Sequence, residues 1–63
     1  MYNYHEIISF AYGLGISEND AACIASAAAR GRDDLLWTAV EAVLGISHIE
    51  ALELLKPFEK SLW

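Results

Sequence analysis

The sequence predicts an all-α protein, a bundle of three to four short helices with the last one kinked or broken near Pro57. Three observations predict it. Apolar residues recur at helical spacing in four separate stretches. Each stretch opens on a residue suited to a helix N-terminus, Asn3, Ser17, Asp33 or Ser47. Glycines stand where the first three stretches end, at Gly13 and Gly15, Gly31 and Gly45.

The first helix follows Asn3 as N-cap, with Glu6 three residues on in a capping-box pattern. Tyr4, Ile7, Ile8 and Ala11 make its apolar face, and His5, Glu6 and Ser9 its wet face. The second runs from about Glu18 to Arg30 behind Ser17, with Asp20 placed to reach back to the cap. Its middle, residues 21–29, is almost wholly small, which favours the helix and lets a neighbour approach closely. Arg30 suits the negative end of the helix dipole.

The third helix spans roughly Asp33 to Leu44, its two aspartates complementing the positive N-terminus. Only Asp34, Thr38 and Glu41 form a polar stripe, so this is expected to be the central helix. The fourth opens on Ser47 with Glu50 as reciprocal partner, the best capping box in the chain. Its apolar face is Ala51, Leu54, Leu55, Phe58 and Leu62, interrupted by Pro57, which has no backbone N–H to give.

Length and composition bound the function. At 63 residues the chain forms a single domain, 1–63, with a thin core. Such a domain leans on disulfides, metal, close packing or a second subunit. Cys23 is the one cysteine, so no internal bridge forms and a reducing compartment, the cytoplasm, is expected; among the alanines its ordinary reading is a small buried thiol. His5 and His48 have no ligand-spaced companion, so neither a metal nor another cofactor is expected. No stretch is long and apolar enough to span a membrane, and no signal peptide precedes the first helix.

The apolar share of 56% leaves candidates for surplus surface: Tyr2, Tyr4, Phe10, Tyr12, Trp37, Ile49, Leu52 and Trp63. Of these, Tyr4, Phe10 and Trp37 are expected in the core, whereas Trp63 either folds back on the body or faces a partner. A homodimer is compatible with the surplus. The net charge of −5, nine acids against four bases, repels phosphate and argues against direct nucleic-acid binding. A basic protein surface is the more natural partner. Asp33, Asp34, Glu41, Glu50 and Glu53 are the candidate acidic contacts, with Trp63 beside them.

Catalytic constellations are not expected. Ser47 and His48 are adjacent at a helix start and do not face each other, and Asp33 with Asp34 is explained by a helix N-terminus. The chain is therefore read as no enzyme, with no catalytic residue.

One phrase repeats. Leu14-Gly15-Ile16-Ser17-Glu18-Asn19-Asp20-Ala21 returns thirty positions later as Leu44-Gly45-Ile46-Ser47-His48-Ile49-Glu50-Ala51. In each copy Gly closes one helix, Ser and the acid cap the next, and Ile with the later Ala forms a hydrophobic staple. The phrase resembles the turn of DNA-binding helix-turn-helix proteins, with Ala11, Gly15, Ala21 and Ile24 in the first copy and Gly45, Ala51 and Leu54 in the second on that family's small, glycine and apolar positions. It departs from the family at Glu41, where a small residue is expected. The helices that follow offer Glu18, Asn19, Asp20 and Ala22, or His48, Ile49, Glu50, Leu52 and Glu53, where base readers use Arg, Lys, Asn and Gln. A fainter resemblance, to ubiquitin-associated three-helix domains, rests on Leu14-Gly15-Ile16 and residues 39–44.

In size, acidity and helicity the chain resembles small phage-encoded inhibitors of the anti-CRISPR type. No motif defines that group. The resemblance implies a non-enzymatic, protein-binding inhibitor in the host-cell cytoplasm, whose acidic surface blocks a basic nucleic-acid-binding site of a CRISPR effector. The alternative is a small regulator or adaptor derived from a helix-turn-helix protein.

Overall fold

The computed structural model describes residues 2–60. They form α1 (Tyr4–Tyr12), α2 (Glu18–Ala29), α3 (Asp33–Leu44) and α4 (His48–Leu55), then a 3-10 turn at Lys56–Phe58. Two residues placed by the sequence, Leu62 on the apolar face and Trp63 at a partner, lie outside the described residues.

The helix starts divide by chemistry. Ser17 accepts a hydrogen bond from the Asp20 N–H at 3.2 Å, and at α4 Ser47 and Glu50 form the full reciprocal box. Asn3 precedes α1, but its side chain makes no capping bond, so the expected box with Glu6 is absent. Instead the Asn3 N–H donates to the Phe58 carbonyl at 2.7 Å, beside an antiparallel bridge between Tyr2 and Glu59. The backbone before α1 is thus held by the far end of the chain rather than by a local cap.

The two copies of the repeat do not make the same corner. At the second, Gly45 follows α3 directly with φ +64°, and the N–H groups of Gly45 and Ile46 both close on the Glu41 carbonyl, at 2.9 and 3.3 Å. This is the left-handed closure that favours glycine. At the first, α1 has already ended at Tyr12, two residues before Leu14, and Gly15 turns left-handed only after that (φ +76°). The cause is Gly13. It occupies the place that Val43 holds in the other copy, and glycine in a last turn forfeits helix propensity where valine continues the helix.

Ile7, Ile24, Leu36, Val40 and Leu55 are the largest fully buried side chains, joined by Ala11, Ala28 and Ala51 with no exposure. Each large apolar side chain so buried contributes about 1.5–3 kcal/mol relative to exposure. Helix α2 buries five residues, Ala21, Ile24, Ala25, Ala27 and Ala28, against three for α3, and packs on both α1 and α3. The alanine-rich helix, not α3, therefore holds the middle. Its small side chains bring both neighbours close.

Helix α4 ends at Leu55, consistent with the break expected near Pro57. Pro57 has no N–H for the Glu53 carbonyl, which takes the Lys56 N–H instead, and the chain tightens into the 3-10 turn. That turn delivers Phe58 to α1, where its ring lies 5.0 Å from Phe10.

Candidate functional site

The five candidate acids fall in two groups at opposite ends of α3. From Asp34 to Glu41 the helix rises roughly 10 Å. That exceeds the screening length of about 8 Å at physiological salt, so the groups act as separate charges.

At the N-terminal end, the Tyr4 hydroxyl lies 2.5 Å from Asp33 Oδ1 and 3.2 Å from the Gly31 carbonyl. With one proton to give, it donates to the nearer, charged oxygen. The hydrogen bond to Asp33 and partial burial raise the Tyr4 phenol above its ordinary range. Asp33 is therefore half-buried and structural as well as acidic, tying α1 to the start of α3. Asp34 faces solvent in a fork with Arg32, whose Nε and Nη2 donate at 3.3 and 3.0 Å. The guanidinium holds the Asp34 carboxyl below its usual range. Both groups are about two-thirds exposed, so the pair contributes little to stability.

At the other end, Glu41 meets His48 Nδ1 at 2.7 Å across the Gly45 corner. The His48 ring stands edge-on to Trp37 at 5.5 Å, and Trp37 Nε1–H donates to the Tyr2 hydroxyl at 2.9 Å. A line of side chains thus runs from the corner to the buried N-terminal segment. The Glu50 carboxylate accepts the Ser47 N–H at 3.2 Å, and Glu53 is exposed. Ile49, on the same first turn of α4, is 73% exposed.

Four of the five acids thus have a partner within the chain, and Glu53 is the one that makes no hydrogen bond or ion pair among the described residues. The pairing of Glu41 with His48 is not among the contacts expected from the sequence. A signal for it exists, since a seven-residue separation around an LGIS corner brings the two side chains to one edge.

Two other expectations change. Cys23 is exposed rather than buried, because it lies at the rim of the groove between α2 and α3, one residue round the helix from the buried Ile24. Tyr2, a candidate for surplus apolar surface, is buried at 3% exposure under Trp37. Tyr4, Phe10, Trp37 and Leu52 are half-buried, and Tyr12 and Ile49 are exposed as candidates for surplus surface should be.

Between α3 and the segment His48–Phe58 the chain bends by 110°, within the range of about 90–120° for a helix-turn-helix corner. No single helix among the described residues is long and apolar enough to cross a membrane. Among them, no group of three His, Cys, Asp or Glu side chains is placed to hold a metal ion. In comparisons with known proteins the chain matches no family model, no curated protein and no solved structure.

Proposed function

We propose that this chain is a non-enzymatic, protein-binding inhibitor of the anti-CRISPR type, which sets an acidic surface against the basic nucleic-acid-binding groove of a CRISPR effector. The observation that carries the reading is the α3–α4 corner. There the outward-facing Ile49 shares two turns of helix with Glu50 and Glu53, above the Glu41–His48 pair, in a chain of net charge −5. An apolar anchor within a charged rim is how protein interfaces are commonly built, and the charge complements a groove shaped for phosphate. The inhibitor occupies the groove and nucleic acid is excluded.

The test is competition. Purified CRISPR effector complexes are mixed with labelled target nucleic acid and increasing amounts of the chain, and the bound fraction is read by gel shift. Displacement should occur, and Glu53→Lys should weaken it about tenfold, a charge reversal facing a basic partner. Asp34→Lys is the probe for the other acidic group. Asp33 is a poor probe because it also holds Tyr4. Unchanged binding of nucleic acid across a panel of effectors removes the reading.

The second reading, a regulator derived from a helix-turn-helix protein, is favoured by the 110° corner. It expects a shift of bare duplex DNA at low salt that fades as salt rises.

A further inference from the structure

Helices α2 and α3 leave an open groove of about 360 Å³ between them, walled by Cys23, Ser26 and Ala27 on one side and Leu35, Ala39 and Ala42 on the other. Arg30 stands at its edge. Among the described residues the Arg30 side chain makes no hydrogen bond or ion pair, and neither does the Glu18 carboxylate at the opposite end of α2.

From this arrangement we propose that the groove is filled by a second copy of the chain, with the two α2 helices antiparallel about a two-fold axis. This goes beyond the inhibitor reading and does not depend on it.

Charge selects the occupant. Helix α2 begins with Glu18 and Asp20 and ends at Arg30, with Arg32 just beyond. Antiparallel pairing of α2 with itself sets each acidic start against the other copy's basic end. The exposed face has the matching symmetry: Asn19, Cys23, Ser26 and Arg30 all face solvent. Asn19 and Arg30 are equally far from the point between Ile24 and Ala25, and so are Cys23 and Ser26. Arg30 of one copy then meets Asn19 and Glu18 of its partner, and Cys23 meets Ser26, each contact made twice as an isologous interface requires.

The distribution of charge also favours this face for a like copy. Two chains of net charge −5 repel, and the repulsion is least across this groove, whose lining holds one base, Arg30, and no acid. The α3–α4 corner, with Glu41, Glu50 and Glu53, is left free. Small side chains on α2 let the paired helix settle into the groove at close range, giving a four-helix layer of α2 and α3 from each copy.

Sedimentation equilibrium over micromolar to millimolar concentration tests the proposal. A dimer is expected, loosened by salt. Arg30→Glu should weaken it about tenfold, and the double variant Glu18→Arg/Arg30→Glu, which restores the charge pairing in reverse, should recover it. Cys23, the sole thiol, should be joined to Cys23 of the second copy by a short bismaleimide, giving a covalent dimer. All these positions are exposed, and far-UV circular dichroism checks that each variant keeps its helices. A monomer throughout the range overturns the proposal. So does a dimer indifferent to Arg30 and not cross-linked through Cys23, or a groove that protects Cys23 only when a foreign protein is added.

Discussion

The indole N–H of Trp37 donates to the hydroxyl of Tyr2 at 2.9 Å while the two rings meet edge to face, with centroids 6.4 Å apart. This contact anchors the segment before α1 to α3, and Tyr2 is nearly inaccessible beneath it. Trp37→Phe removes the donor and part of the packing. It should cost about 1–3 kcal/mol, the usual penalty for orphaning a buried polar group. Tyr2→Phe, which leaves the half-buried indole N–H unpaired, should cost about 1 kcal/mol. Urea denaturation followed by circular dichroism measures both. If neither variant shifts the midpoint, the contact does not hold the N-terminal segment.

The caps separate by the bonds they make. Ser47→Ala and Ser17→Ala each remove an observed acceptor at a helix start and should destabilise by about 1 kcal/mol. Asn3→Ala should be close to neutral, since the Asn3 side chain caps nothing. Thermal melts of the three variants decide it; in a domain of this size a loss of about 1 kcal/mol lowers Tm by roughly 4–8 °C. Equal losses at Asn3 and Ser47 would contradict the geometry.

Two glycines should respond in opposite directions. Gly45 has φ +64° and open space where a Cβ would sit, so Gly45→Ala meets no clash but incurs the left-handed penalty of about 1–2 kcal/mol. Gly13 has φ −92°, and a Cβ there would meet the Phe10 and Ser9 carbonyls at 3.5 and 3.6 Å, ordinary contact distances. Gly13→Ala should therefore stabilise by about 0.4–1 kcal/mol through reduced freedom of the unfolded chain. Chemical denaturation gives the sign directly, and a destabilising Gly13→Ala would refute the account of the first corner.

Alkali should loosen the fold through Tyr4. Its phenol is raised above the ordinary value of 10.0, chiefly by donating to Asp33. A raised value means the folded state keeps the proton that the unfolded chain gives up. The contribution is whole below pH 10 and is lost as pH climbs through the folded value. The difference in stability between wild type and Tyr4→Phe, measured from neutral pH upward, should shrink in that range. A difference that stays constant would place the Tyr4–Asp33 bond outside the stability of the fold.

Acid acts on the other aspartate. Asp34 is lowered from 3.8 by Arg32, so its contribution is present above that value and fades as pH falls through the lower, folded one. Because the pair is exposed, the effect should be small and should vanish in high salt. Carboxylate titration by NMR, in wild type and in Arg32→Ala, measures it. An Asp34 titration that is the same in both would exclude the guanidinium as the cause.

Much of the fold is legible in the sequence because its signals are local. Ser47 and Glu50 sit three residues apart, and a capping box needs only that spacing. Pro57 breaks α4 for want of its own N–H. Asp33 to Leu44 forms a helix with the bounds its apolar pattern implies. The candidate site is less legible. Asp33 can be read as an acid but not as the acceptor for Tyr4, twenty-nine residues away. Cys23 reads as an interior thiol because its neighbours are alanines, yet alanines cover both faces of α2 and give no amphipathic pattern from which to choose a side.

By itself, then, the sequence determined the excess of negative charge, the helix positions, the caps at Ser17 and Ser47 and the glycine corners, and the structural features among these depend on residues within one or two turns of each other. Only the tertiary structure decided which face of α2 is buried, that Tyr2 lies under Trp37 and that Tyr4 meets Asp33. Those outcomes depend on which helices pack together. Packing is a competition among many apolar surfaces for one small core, and no local spacing records its result.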